Sequence, residues 1–391
     1  MKETLFLCFL TSEKGLYHGL FRLFNKNLEK KKFLTIKIFS DRIIVIKIDE
    51  RMRKMKKYNI AILGATGAVG QEMLKILFER NVPFQELHLL ASARSAGKKI
   101  YVEDQCLEIE ETTKDSFKNI DIVLGAADND VAKLYVPIAR SQGAIVIDNS
   151  SAFRMDKDVP LIIPEVNPQD IKKHHGLIAN PNCATIIAFV ALAPLHAYAK
   201  AKRLVVSTYQ AVSGAGKKGI AELDAQIYDI ARDNEISIEA FQHQIAYNLI
   251  PQIGGFNEEG YSSEEMKMQM EGQKILHEDD FFVNCTCVRV PVYRSHSESI
   301  FVEFERSISI EKAREVLREA DGVKLVDDVQ NSIYPMPIDT TDQDLVYVGR
   351  LRKDMSQHEN GLSFWCCGDQ VRKGAATNAI QILELLLAQM S

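Results

Sequence analysis

Glycines at positions 64, 67 and 70 stand between a short apolar run, Asn59-Ile60-Ala61-Ile62-Leu63, and a segment of helical period over 71–79. That context narrows the fold more than any other feature of the chain. A chain that turns this tightly from strand into helix leaves backbone N–H groups free at the helix start, where negative charge is favoured. The spacing G-x-x-G-x-x-G is a variant of the dinucleotide fingerprint: one glycine for the turn, one for close backbone approach to a pyrophosphate, one for helix–strand packing. Gly64, Thr66, Gly67, Ala68 and Val69 are the candidate contacts.

The pattern continues as alternating strand and helix. Residues 87–91, 120–125 and 144–148 read as buried strands and 131–141 as a helix, so a parallel sheet is predicted, with ligands at the carboxyl ends of its strands. The second strand selects the cofactor. An acidic residue about 20 positions after the glycines would bond the ribose 2′-hydroxyl of NAD. Here the segment reads Leu90-Ala91-Ser92-Ala93-Arg94-Ser95, and Arg94 with Ser92 and Ser95 suits a 2′-phosphate, which favours NADP.

Past residue 200 the character changes. A strand over 203–210, a helix over 217–234 and strands over 283–291 and 299–305, paired antiparallel, point to a second, α+β domain. Residues 361–367 read as its last strand or a return strand, and 375–390 as an apolar-striped helix packing back on the first domain. A chain of 391 residues, 46% of them hydrophobic, is long and apolar enough for two such cores. The expected division is an N-terminal extension over 1–54, an NADP-binding domain over 55–182 and 365–391, and a catalytic and dimerisation domain over 183–364. The extension is read either as an appended tail or as an upstream start assignment, since Met55 lies just before the first strand. Its apolar stretch at 5–10 is too short for a membrane span and is a poor signal peptide, while 33–48 holds β-branched residues able to pair locally.

The chemistry centres on Asn180-Pro181-Asn182-Cys183-Ala184-Thr185. An apolar helix-forming run over 186–195, ended near Pro194, follows a non-helical Asn-Pro-Asn with Asn182 as N-cap. Cys183 thus falls on the first turn, where the helix dipole favours thiolate, and it reads as a nucleophile. Gln210, opening Gln210-Ala211-Val212-Ser213-Gly214-Ala215-Gly216, is a candidate to orient a carbonyl, and its glycine loop can approach a cofactor. The segment from Arg289 to His296 sets an arginine and a candidate acid/base together. A net charge of −5 without a basic stripe argues against nucleic acid. The seven cysteines, among them Cys366-Cys367 and Cys285-x-Cys287, lack zinc-site spacing, so free thiols in a reducing cytosol and no metal are expected.

Together, the glycine turn, the Cys183 and Gln210 motifs, Glu264-Glu265-Met266-Lys267 and the stretch from Arg289 to His296 resemble the aspartate-β-semialdehyde dehydrogenases, in order over residues 58–391. The resemblance implies a Rossmann-type domain and interconversion of L-aspartate 4-semialdehyde, phosphate and NADP with L-4-aspartyl phosphate and NADPH. It implies Cys183 as the acyl-carrying nucleophile, His296 as acid/base, Gln210 as positioner and Arg289 as clamp on the α-carboxylate. Glu264, or Glu265 beside it, would face the α-amino group, and Arg154, Lys267 and Asn182 would bind phosphate. Ser213, Gly214 and Gln370 would approach the cofactor, although Gln370 stands where the family usually has asparagine, and Ala184 where serine is common. A homodimer or homotetramer is implied. N-acetyl-γ-glutamyl-phosphate reductase shares the fold and the cysteine, but its substrate's amine is acetylated, and an acidic residue at 264 favours the free amine.

Overall fold

The computed structural model describes residues 35–39, 42–46, 56–356 and 360–390. Within the extension, strands β1 (Thr35–Phe39) and β2 (Arg42–Ile46) pair antiparallel, the local pairing expected of that β-branched stretch. The apolar stretch at 5–10 lies outside the described residues.

Residues 57–391 form a separate compact unit. Its first sheet begins with β3 (Ile60–Leu63), buried along its whole length, and the glycine turn leads into helix α1 (Ala68–Glu79). Strand β4 (Leu87–Ala91) follows, then an edge hairpin of β5 (Lys99–Val102) and β6 (Gln105–Glu111), then β7 (Ile122–Gly125), helix α2 (Asn129–Ser141), β8 (Ile145–Asp148) and β9 (Leu177–Ala179). The order is β5-β6-β4-β3-β7-β8-β9, parallel throughout except the β5–β6 pair. Chain order reverses at β3, so a crevice opens beyond its carboxyl end, where the glycines lie.

Helix α3 (Cys183–Ala199) then leads to the second sheet. The sequence predicted its end near Pro194, but the helix runs five residues further. Proline removes only one N–H donor, and helix α3 is packed by apolar neighbours on nearly every side, which outweighs the lost bond. Strand β10 (Ala201–Gln210), helix α4 (Gly216–Ile230), helix α5 (Ser263–Leu276), strands β11 (Phe282–Arg289) and β12 (His296–Phe304), helix α6 (Ile310–Glu319), β13 (Val323–Leu325), the short α7 (Pro337–Thr340), β14 (Val346–Lys353) and β15 (Gly361–Gly368) complete this part. The order is β11-β10-β12-β15-β14-β13.

The two strands predicted to pair with each other, β11 and β12, instead flank β10, parallel on one side and antiparallel on the other. Both alternation patterns are real; only the middle partner, some 70 residues upstream, is invisible locally. Strand β15 belongs along its whole length to this sheet, so the chain leaves it after Gly368, not at the expected boundary of 365. Helix α8 (Thr377–Met390) packs on the first sheet's side as expected: Arg80 of α1's C-cap donates to Glu384 at 2.8 and 2.7 Å, and Asn378 reaches Asn180 at 2.7 Å. Among the described residues no helix is long and apolar enough to cross a membrane, and no cluster of His, Cys, Asp and Glu could hold a metal ion.

Candidate active site

Three neighbouring strands deliver three functional side chains to one end of the second sheet. Gln210 ends β10, Arg289 is its register partner at the end of β11, and His296 opens the antiparallel β12. All three are buried. Cys183 arrives from the other side on the first turn of α3, as the sequence predicts, with Asn182 as N-cap: its side-chain oxygen accepts from Ala184 and Thr185 N–H at 3.0 and 3.4 Å. The turn over 372–376 closes against the thiol, because a Cβ on Gly374 would come within 2.9 Å of the cysteine Cβ. Only glycine permits that approach.

The Cys183 sulfur lies 3.4 Å from His296 Nε2. On the opposite side of the ring, Nδ1 accepts from the Ala211 backbone N–H at 3.1 Å, which fixes the neutral ring with its proton on Nε2, aimed at the sulfur. Burial, reinforced by the Arg289 guanidinium and opposed by Glu264, pushes His296 down to about 3. It is therefore neutral across the physiological range.

The predicted thiolate is not the resting form. Burial pushes the Cys183 thiol up to about 12, Glu264 adds to this, and Lys267, Arg154 and Arg289 pull the other way. The helix dipole acts within one turn and is worth about 1 kcal/mol or less, too little to offset desolvation next to a carboxylate. Cys183 as a residue is only partly buried. Replacing the carboxylate, Glu264→Gln, is expected to speed alkylation of Cys183 by iodoacetamide at pH 8 by about tenfold, since removing a neighbouring negative charge lowers the thiol pKa. A rate unchanged or lower than wild type would show that Glu264 does not set thiol acidity.

Between Glu264 and Glu265 the structure distinguishes clearly. Glu265 completes a capping box with Ser262 and also accepts from Cys287 N–H at 2.9 Å, so it is committed to the fold of α5. Glu264 turns into the site, accepting from Asn182 Nδ2 at 2.8 Å, Gln210 Nε2 at 3.2 Å and Lys267 Nζ at 2.8 Å. Burial alone would raise its pKa, but Lys267 and these donors bring it to about 2, so it carries a full charge. Lys267 is thus already paired, and Arg154 likewise donates to Glu271 Oε1 at 2.9 Å and to Asn149 O at 2.7 Å, while its buried Nε meets no partner among the described residues. The three predicted phosphate residues converge beside Cys183. Glu271, which the sequence reading did not single out, binds Asn182 N–H at 2.7 Å as well as Arg154.

At the glycine turn, a Cβ on Gly64 would meet Ala126 O at 2.8 Å and one on Gly70 would meet Gly64 O at 2.4 Å, so strand, turn and helix pack backbone to backbone. Gly67 caps α1 without a side-chain bond and the first turn holds no acidic residue, which leaves its N–H groups, with Thr66, Ala68 and Val69, open to an anion. Ser92, Arg94 and Ser95 form the turn after β4; Ser92 and Arg94 are exposed, and the Arg94 guanidinium pairs with no other described residue. Gln370 and Ser213 are hydrogen-bonded to each other, and Gln370 Oε1 accepts from Ser295 N–H at 2.8 Å, holding the residue before His296. Gly214 lies where a Cβ would meet Arg289 Nη1 at 2.8 Å and the His296 ring at 3.3 Å.

Both sheets of this chain have counterparts in known proteins. Residues 59–174 match the family described as semialdehyde dehydrogenase, NAD binding domain, and 192–373 the semialdehyde dehydrogenase, dimerisation domain. An aspartate-semialdehyde dehydrogenase of Aquifex aeolicus is 51% identical over 85% of this chain and 98% of its own length. The crystal structure of aspartate semialdehyde dehydrogenase II from Vibrio cholerae complexed with ASA superposes with a TM-score of 0.84 at 43% identity, over 86% of this chain and all of that one. The Candida albicans aspartate semialdehyde dehydrogenase with NADP, 26% identical, superposes at 0.66 over 86% of this chain and 99% of its own. With a nucleotide-binding sheet, a dimerisation-type sheet and this cysteine site in one chain, the protein belongs to the aspartate-semialdehyde dehydrogenase family, an oxidoreductase family of amino-acid biosynthesis.

Proposed function

We propose that the protein carries out the NADPH-dependent reductive dephosphorylation of L-4-aspartyl phosphate to L-aspartate 4-semialdehyde through a thioester on Cys183, on the diaminopimelate branch toward lysine, threonine and methionine. The observation that carries this reading is the Cys183–His296 contact of 3.4 Å, flanked by Arg289 and Glu264. Arg289 is the carboxylate clamp: its Nη1 donates to Ala211 O at 2.8 Å, which fixes the guanidinium plane and leaves other donors for a bidentate pair. Glu264, held ionised, pairs with the α-ammonium. An acetylated amine offers it no charge, so the carboxylate favours the free amino acid over the N-acetylglutamate analogue.

Substrate docking also arms the thiol. Once the ammonium neutralises Glu264, the carboxylate no longer opposes ionisation of the thiol. Sulfur attacks the acyl phosphate carbon, phosphate leaves toward Arg154, Lys267 and Asn182 and takes up the proton, and the acyl group stays on Cys183. His296 Nε2–H, with Gln210 Nε2 at 3.3 Å from the same nitrogen, stabilises the oxyanion at the carbonyl oxygen, whose collapse after reduction breaks the carbon–sulfur bond, releases the semialdehyde and returns Cys183 as a thiolate that is reprotonated from water. When bound, the dinucleotide supplies the hydride to that acyl carbon. The residues fit NADP: the helix start after the glycine turn has neither a side-chain cap nor an acidic residue in its first turn, which suits a pyrophosphate, and Arg94 with Ser92 and Ser95 suits a 2′-phosphate. We further propose a cytoplasmic homodimer or homotetramer, with nucleotide-binding residues at 55–182 and after 368 and a catalytic and dimerisation region between.

The direct test follows NADPH formation at 340 nm, with L-aspartate 4-semialdehyde and phosphate as substrates. Turnover should require phosphate and prefer NADP over NAD. Activity restricted to N-acetyl-L-glutamate 5-semialdehyde would overturn the substrate assignment, and equal use of NAD the cofactor assignment.

A further inference from the structure

We infer that Glu271 is a positioning residue for the reaction above, holding the phosphate-binding arginine and the nucleophile's N-cap in fixed register. The inference rests on the proposed reading of Arg154 as a phosphate ligand. Glu271 is 1% exposed and lies seven residues after Glu264 on helix α5, on the same face, with Lys267 between them and Lys274 beyond. One carboxylate oxygen accepts from Arg154 Nη1 at 2.9 Å and the other from the Asn182 backbone N–H at 2.7 Å. Lys274 Nζ donates to the carbonyls of Arg154 and Asp156 at 2.7 and 2.8 Å. A single helix face thus grips Asn182 by its main chain through Glu271 and by its side chain through Glu264, and grips Arg154 by its guanidinium and its backbone.

The helix can come this close because Gly272 faces the Cys183 helix: a Cβ there would lie 2.5 Å from the Phe189 ring. Glu271 and Asn149 O use two of the five guanidinium N–H donors of Arg154 and lock its plane. The donors that remain include the buried Nε, which meets no partner among the described residues. A buried arginine donor without a partner beside Cys183 is what an anion arriving there would satisfy. Without the carboxylate, Arg154 has no anchor at Nη1 and is free to turn toward the Glu264 charge.

In Glu271→Gln one acceptor becomes a donor facing either Asn182 N–H or Arg154. The expected result in the semialdehyde-oxidising direction is a rise in KM for phosphate of about tenfold or more, with the semialdehyde KM and NADP affinity within about twofold of wild type. In an Arg154→Ala background the same substitution should raise the phosphate KM several-fold less than it does alone, because only the Asn182 contact of Glu271 then remains to be lost. Should the amide variant fail to fold, Glu271→Asp, which keeps the charge but shortens its reach, must show the same selective rise. A lower melting temperature with no selective change in phosphate KM, or effects that add in the double variant, overturns the inference. Absence of phosphate-dependent turnover in the wild-type protein would instead remove the reading on which it rests.

Discussion

Cys183→Ala is expected to lower turnover by about 10⁴-fold or more while leaving NADP affinity within about twofold. The substitution removes only the sulfur. The Cβ against which the 372–376 turn packs is kept, the Asn182 cap does not use the side chain at 183, and alanine is the best helix former for a first-turn position. The glycine turn lies in the other sheet and does not depend on the thiol. Activity and binding should therefore separate cleanly, read by phosphate-dependent NADPH formation and by titrating NADP against intrinsic fluorescence. No other thiol among the described residues can substitute: Cys285, Cys287, Cys366 and Cys367 are buried in the second sheet, and Cys106 is on the edge hairpin of the first. Residual turnover above about one thousandth of wild type would contradict a covalent route.

Much of this was legible in the sequence because it is written locally. The glycine turn announces itself by φ demands and close packing, and Gly64 does sit at φ +89°. The Asn182 cap and the helix start at Cys183 follow from neighbouring residues. What depends on distant partners was not legible. Glu271 reads as one more glutamate on an amphipathic helix; its significance lies in Asn182 and Arg154, 89 and 117 residues away. The faint available signal was the spacing 264, 267, 271, 274, which sets four charged residues on one face of α5. The thiol's protonation was misjudged for the same reason. A dipole belongs to the local helix and can be read from it, whereas desolvation and the Glu264 charge come from a segment 81 residues on. The shared β10 partner of β11 and β12, and the passage of α3 through Pro194, are likewise tertiary effects overriding local pattern.

The second large effect concerns His296. The substitution His296→Asn is expected to lower kcat by about 10²- to 10⁴-fold, the range for loss of a positioned proton donor. The more discriminating expectation is what it leaves alone. In a preformed thiolate–imidazolium pair the ring would already hold the thiol's proton, and removing it would collapse thiol reactivity. Here the ring's single lone pair, at Nδ1, is occupied by the Ala211 N–H, and the pKa of about 3 keeps the ring neutral, so Nε2 presents a hydrogen and not an acceptor to sulfur. Alkylation of Cys183 in the free enzyme should consequently change less than about threefold in His296→Asn, and its rate should climb about tenfold per pH unit from pH 7 to 10 without a plateau, as a thiol near 12 requires. A plateau near neutrality in the wild type, lost in the variant, would mean that imidazole does take the thiol proton and that the Ala211 bond breaks to allow it. If instead reactivity persists while turnover falls, the imidazole acts after attack, donating to the oxyanion at the acyl carbon. That timing agrees with a site in which substrate, by neutralising Glu264, is what releases the nucleophile.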